Sequence, residues 1–314
     1  MFKQIKTLIE EYNHIVIHRH KNPDGDAYGS QMGLKRLIEL NYPNKKVVAV
    51  GDTNVFSYIG EVDHVDDVFY ENALAIILDV AVTQLVSDDR YHLAKQRLVI
   101  DHHLNDSNID GMIMIDSNYI SCAELIADMA LTMNWKIDEL AATNLMFGII
   151  TDSGRFLYPN TKANTFNIAA ALMNKGAKLQ YIYNQLYTES LNFKKLKGYF
   201  INNFKTTDYN VAYMKNDVSI KEQFGVSTFT VSRAMVNQMS GIENVSIWAN
   251  FTEDVDGLIQ CELRSKEIPI VDVAKKYGGG GHALACGCTV KSFDMADEIL
   301  ADLDAIIEKS GKHG

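Results

Sequence analysis

Cysteine is scarce. Cys122, Cys261, Cys286 and Cys288 are the four in a chain of 314 residues, and no two form a CxxC pair. Their scarcity excludes a disulfide-stapled scaffold and a thiolate-built structural zinc site, and fits a reducing compartment. Apolar runs long enough to cross a bilayer are missing too, since none approaches the ~20 residues a span requires. The opening MFKQIKTLIEEYN turns acidic before a signal-peptide core could form. No sensory or membrane segment precedes the first motif, so a soluble cytoplasmic protein with no membrane partner is expected. Basic charge is also in deficit, with 30 Lys and Arg against 40 Asp and Glu and a net charge of −10. Grip on long nucleic acid depends on clustered cations, so that task is excluded as the main one. A small anionic substrate held through metal ions stays open, because bound cations reverse the field of an acidic site.

What is present is enough for two cores. Apolar residues make up 47% of the chain and charged ones 22%, and the length favours two domains. Residues 14–18, 46–50, 74–80 and 97–101 are short runs rich in β-branched residues, with a helical periodicity between the first two. Strands alternating with helices predict an α/β fold on a parallel sheet covered on both faces. Helices are predicted over 122–134, over 138–150 with Asp138 as N-cap, and over 163–175 up to Gly176. Residues 178–205 read as one polar, basic helical connector. Beyond it, strands at 209–214, 244–251, 257–263 and 284–290 and helices at 229–239 and 294–309 predict a smaller α+β domain.

The chemistry is written at element ends. His20-Lys-Asn-Pro-Asp24-Gly-Asp26-Ala-Tyr-Gly29-Ser30 follows the first strand, and ligands of open α/β sheets bind in that crevice. Gly29 and Ser30 are expected where the next helix begins, a place suited to phosphate. Asp79 closes the run LAIILDV. On its own it reads as the N-cap of a following helix, or as a metal ligand, since a buried carboxylate needs a partner. Asp101-His102-His103 closes the next strand; adjacent histidines project differently, so one can ligate while the other faces substrate. Thr151-Asp152-Ser153-Gly154-Arg155-Phe156 ends a helix, with Gly154 as an expected left-handed cap. Mixed imidazole and carboxylate donors suit Mn²⁺ and similar divalent ions, and the donors outnumber what one ion needs, which points to a pair. In the second half, Tyr277-Gly278-Gly279-Gly280-Gly281-His282 reads as a loop offering backbone amides to an anion. Arg264-Ser265 ends a strand upstream; Arg264 is read either as a phosphate fork or as a surface ion pair with Glu262 or Glu267.

Together these residues resemble the DHH phosphoesterase family, in its branch with a C-terminal DHHA1 domain, the oligoribonuclease and pAp phosphatase type. HKNPDGDAYGS, Asp79, DHH at 101–103, TDSGRF at 151–156 and GGGGH at 278–282 appear in family order over nearly the whole chain. The resemblance implies a DHH metal-binding domain at 1–185, a helical connector at 186–205 and a DHHA1 domain at 206–314, with the active site in the cleft between domains. It implies that His20, Asp24 and Asp79 hold one Mn²⁺, and Asp26, Asp79, His102 and Asp152 another. His103 then contacts the phosphate or protonates the leaving oxygen, and Asp101 orients a ligand histidine. Arg264, Ser265, Gly279, Gly280, Gly281 and His282 hold the substrate, with Arg155 on its side of the site. The implied reaction is two-metal hydrolysis of short RNA oligonucleotides and of pAp; the sequence does not fix the oligomeric state, and a homodimer is left open. Cleavage of pApA in cyclic-di-AMP signalling is the alternative, and an inorganic pyrophosphatase or a non-catalytic nucleotide-binding regulator are lesser ones. Ser153 stands where the family frequently has Thr.

Overall fold

The computed structural model describes residues 1–52, 56–104 and 106–310. The chain divides into two compact units, Met1–Thr188 and Glu189–Gly314. In the first, α1 (Phe2–Glu11) leads into β1 (His14–His18), α2 (Gly25–Asn41), β2 (Lys46–Ala49), β3 (Ala73–Leu78), β4 (Gln96–Asp101) and β5 (Met112–Ile115). The strands form one parallel sheet in the order β2-β1-β3-β4-β5. Helices α3 (Cys122–Thr132), α4 (Glu139–Asp152), α5 (Ala163–Asn174) and α6 (Leu179–Tyr187) complete the unit. Each central strand is apolar on both faces for a reason visible residue by residue. Leu74, Ile76 and Leu78 of β3 pack into the core that also holds α2, α3 and α4, whereas Ala73, Ala75 and Ile77 pack into a second core on the other side. A sheet covered on both sides leaves its strand ends as the places where polar groups can gather.

Helix α2 starts at Gly25, with the Asp24 side chain accepting from the Asp26 and Ala27 backbone N–H groups. Gly29 and Ser30 therefore lie a turn inside the helix, not at its phosphate-facing start. Gly29 is there because α4 presses close: a Cβ would stand 2.6 Å from Asn144 O and Gly148 N. Ser30 is buried and donates to Ala27 O. Asp138 caps α4 as expected, accepting from Ala141 N–H at 3.0 Å. Gly176, past α5, adopts φ +95°. The helical run over 178–205 is two helices, because Ser190 restarts the chain as the N-cap of α7 (Leu191–Asn203), and Glu189 beside it pairs with Lys194 and Lys197.

The second unit continues through β6 (Lys205–Thr206), β7 (Ala212–Asn216), α8 (Ser219–Phe224), β8 (Ile247–Glu253), β9 (Ile259–Ser265), α9 (Val271–Lys276), β10 (Gly280–His282), β11 (Ala285–Val290) and α10 (Phe293–Ser310). Its sheet order is β10-β11-β9-β8-β7-β6, with β7 and β8 parallel and the other neighbours antiparallel. The helix expected over 229–239 is instead a π-helical turn, Thr230–Ala234, followed by a 3-10 turn, Val236–Met239. The glycine run is partly strand rather than loop: Gly280, Gly281 and His282 pair with Gly287, Cys286 and Ala285. The close approach its glycines permit is to their own sheet, since a Cβ on Gly279 would meet Gly287 O at 2.1 Å. No helix among the described residues is long and apolar enough to cross a membrane.

Candidate metal centre

Six of the residues singled out as metal-ligating converge at the strand ends of the first unit. His20 follows β1, Asp24 and Asp26 open α2, Asp79 follows β3, His102 follows β4 and Asp152 ends α4. His20 Nε2 stands 3.7 Å from Asp24 Oδ1 and 3.5 Å from Asp79 Oδ2. His102 Nε2 stands 3.4 Å from Asp79 Oδ1, 3.3 Å from Asp152 Oδ2 and 3.8 Å from Asp26 Oδ2. Asp79 thus turns one oxygen to each histidine. It is not a helix N-cap, because the next turn, Thr83–Leu85, is preceded by Val82. Its backbone is left-handed at φ +58°, with its N–H donating to Ile100 O, so the chain leaves the sheet at this residue.

The donors fit divalent ions. They fall into the sets His20–Asp24–Asp79 and Asp26–His102–Asp152, each with ligand atoms within 4.8 Å of one another. Two donors that share an ion at about 2.1 Å stand roughly 3–3.5 Å apart, close to the spacing found here. Asp79 is 4% exposed, and its Oδ1 has no hydrogen-bond partner among the described residues. A buried carboxylate oxygen left this way is costly unless a cation satisfies it. Asp26 is equally buried but anchored, accepting from the Cys122 and Ala123 N–H groups at the start of α3.

The electrostatics describe a pocket of concentrated negative potential. Burial opposes charge on His20, yet the Asp24 and Asp79 carboxylates outweigh it and lift its pKa to about 10. His102 is lifted to about 10 in the same way, against burial, by Asp79, Asp26 and Asp152. Burial, with the like charges of Asp79 and Asp152, pushes Asp26 well above the usual carboxylate range. Asp152 rises to about 6, again chiefly through burial, with Asp79 and Asp24 adding to it against the pull of His102. Divalent cations would relieve this field and take the place of protons on the two rings.

His103 is half-exposed beside this cluster, with Nδ1 2.7 Å from Asp101 Oδ1. Asp101 is buried, and its ring contact is with His103, while the same oxygen accepts the backbone N–H of His102 and His103. A cavity of about 290 Å³ lies here, lined by His20, Asp24, Asp79, Asp101 and His103. Gly154 is left-handed as expected, and Arg155 and Phe156 after it are left-handed as well, both at φ +65°. The Arg155 guanidinium lies 5.2 Å from the centre of the Tyr187 ring.

In the second unit, Arg264, Gly279, Gly280, Gly281 and His282 line a cavity of about 620 Å³. Arg264 is in the ion pair left open from the sequence, with Nη2 2.8 Å from Glu262 Oε2. Ser265 is buried and its Oγ accepts from Ile268 N–H, so that hydroxyl closes a turn. Arg233, which no motif marked, lines the same cavity. Its signal was faint: it is the one basic residue in the apolar segment FTVSRAMVNQM.

Known proteins carry the same order of parts. The DHH family N-terminal domain matches residues 14–149, and the DHHA1 domain matches residues 216–309. The bifunctional oligoribonuclease and PAP phosphatase NrnA of Bacillus subtilis is 36% identical over 307 residues, covering 96% of this chain and 97% of that protein. A probable protein of the same description from Streptococcus mutans is 35% identical, covering 98% of this chain and 99% of its own length. The crystal structure of an exopolyphosphatase-related protein from Bacteroides fragilis superposes with a TM-score of 0.77 at 24% identity, covering 98% of this chain and 97% of that one. With both domains matched in order and the Asp and His donors gathered at the strand ends, the chain belongs to the DHH family of metal-dependent phosphoesterases, in its DHH–DHHA1 branch.

Proposed function

We propose that this protein is a cytoplasmic hydrolase that converts short RNA oligonucleotides and pAp to nucleoside monophosphates, using two Mn²⁺ ions. The observation that carries the reading is Asp79, buried, facing His20 with one oxygen and His102 with the other. The activities printed in the names of the Bacillus subtilis and Streptococcus mutans relatives support the same substrate class. His20, Asp24 and Asp79 would hold one ion, and Asp26, Asp79, His102 and Asp152 the other. Ions bound there supply Lewis-acid charge to phosphate oxygens and bring the ionisation of water towards neutral pH.

The chain's own residues do the rest. Asp26, fixed at the start of α3 by two backbone N–H groups, and Asp79, fixed by its bond to Ile100 O, give the donors little freedom. Preorganised charge of this kind needs no rearrangement when negative charge develops on phosphorus oxygens. Asp101 holds the His103 ring by Nδ1, which leaves Nε2 for the scissile phosphate or for a proton passed to the leaving nucleoside oxygen.

A panel of pAp, pApA, cyclic-di-AMP and a five-nucleotide RNA, each with Mn²⁺, tests the assignment. Hydrolysis of pAp and of the RNA is expected at rates exceeding that of cyclic-di-AMP. Preference for pApA over both would move the protein to cyclic-dinucleotide turnover, and no hydrolysis of any of the four would end the proposal.

A further inference from the structure

We propose that Arg233 is the phosphate-recognising cation of the second unit's cavity, held in place by a buried Asn216–Asn250 pair. The inference rests on the nucleotide-hydrolase reading and names the residue that reads a substrate phosphate in this unit.

The two arginines of the cavity are not equivalent. The guanidinium of Arg264 is spent on the protein itself. Nη2 donates to Glu262 Oε2 at 2.8 Å, and Nη1 donates to Leu263 O at 2.8 Å and Cys286 O at 3.3 Å. Its side chain is 16% exposed, and the charge it brings is cancelled by Glu262, which lines the same cavity. Arg233 is exposed and makes no hydrogen bond or ion pair among the described residues. Of the Arg and Glu side chains that line the cavity, Arg233 and Arg264 against Glu262 leave one positive charge, and Arg233 is the group that supplies it. A guanidinium with its fork free matches the oxygens of a phosphate in shape and charge.

The backbone beneath Arg233 is built to hold it. Thr230–Ala234 is a π-helical turn, a rare geometry that leaves carbonyls without their usual helical partners. Asn250 in β8 supplies them: Nδ2 donates to Val231 O at 2.7 Å and Ser232 O at 2.6 Å, the two residues directly before Arg233. Asn250 Oδ1 in turn accepts from Asn216 Nδ2 of β7 at 2.7 Å. Both asparagines are fully buried. Amides in a strand core are tolerated where their donors are used, and here they are used to fix the irregular turn that carries the free arginine. Asn250 is in this sense a positioning residue, and Arg233 the one that touches the ligand.

The test is the affinity of the full chain for AMP, the product of the proposed reaction on pAp, measured by calorimetry with Mn²⁺ present. Arg233→Ala is expected to weaken binding at least tenfold, Arg233→Lys to recover part of it, and the salt dependence of binding to flatten in the alanine variant. Affinity of Arg233→Ala within twofold of wild type would overturn the proposal, as would Arg233→Lys binding no better than Arg233→Ala, or no binding of AMP by the wild type. The parent reading fails separately. A protein that binds AMP through Arg233 yet hydrolyses none of the four panel substrates keeps this site and loses the function, whereas hydrolysis with unchanged AMP affinity in Arg233→Ala loses only the site.

Discussion

Asp79 and Asp101 show what single residues can and cannot announce. In the sequence, the Asp within LAIILDV, taken alone, reads as a cap before it reads as a ligand; its left-handed backbone and its two-sided contact with His20 and His102 exist only in the fold. Asp79→Asn keeps the shape and tolerates the same backbone, since Asn is enriched in that conformation, but removes the charge. It is expected to lower kcat/KM more than about 10³-fold, about 4 kcal/mol of barrier. Far-UV circular dichroism should stay as in the wild type. The same variant should lose the Mn²⁺ stabilisation of the wild type, about 2.7 kcal/mol at a hundred times Kd for one site and read as a rise in Tm. Asp101→Asn is a different kind of change, because Asp101 holds the His103 ring and meets His102 only through its backbone N–H, not through the imidazole proposed as a donor. It should cost about 10–100-fold in kcat while calorimetric Mn²⁺ affinity stays near the wild-type value, and an equal loss of both would place Asp101 among the ligands. Arg233 had no motif to mark it. What makes it stand out is that Glu262, two residues back on β9, has already claimed Arg264.

At the scale of elements, legibility followed burial. β1, β3 and β4 are apolar on both faces, so their runs were plain in the sequence, and each is followed within two residues by one that gathers at the metal centre: His20, Asp79 and His102. β5 went unread because MIMI is a four-residue edge strand, partly exposed, with no polar alternation around it. The stretch 229–239 has helical periodicity, but the carbonyls of its π turn are bonded by Asn250 of β8, close in space yet 18 and 19 residues on in the sequence, which no local pattern shows. Asp138 was readable since capping is a local matter. It caps α4 and also accepts from Arg36, with Nη2 2.7 Å from Oδ2. Asp138→Ala should therefore lower stability by about 1–2 kcal/mol without changing the activity of the folded fraction, as read by chemical denaturation beside kinetics. The pH dependence follows from its carboxyl. Burial works to raise its pKa, but the Arg36 guanidinium and the Ala141 N–H outweigh that and hold it below the usual 3.8. A carboxylate depressed in the fold adds stability above its unfolded pKa and loses it as pH falls through the lower folded one. The gap between wild type and Asp138→Ala should be full near pH 6 and shrink below about pH 4, and a constant gap down to pH 2.5 would mean that the cap works without charge.

On the scale of the whole molecule, charge sets what kind of nucleic acid can be held. The net charge is −10, and in the first unit the acidic groups are concentrated at the strand ends, where His20 and His102 are each lifted to about 10. A net acidic charge of this size opposes a long polyanion on balance. The second unit's cavity carries a single net positive charge on this accounting, so the protein's side chains should neutralise only one or two phosphates of any RNA. For single strands each neutralised phosphate contributes about 0.7 to the salt slope, so log KM against log [KCl] should have a slope near 0.7–1.4 for a five-nucleotide RNA. The same argument predicts that extra length brings little, since the excess of acidic residues opposes added phosphates. Efficiency should fall at least about tenfold between five and roughly 20 nucleotides, because the longer strand brings repulsion and no new contact. A slope of 4 or more, or kcat/KM that rises with length, would reveal an extended basic path and would turn the molecule from an enzyme of nucleotide-sized substrates into one that works along a strand.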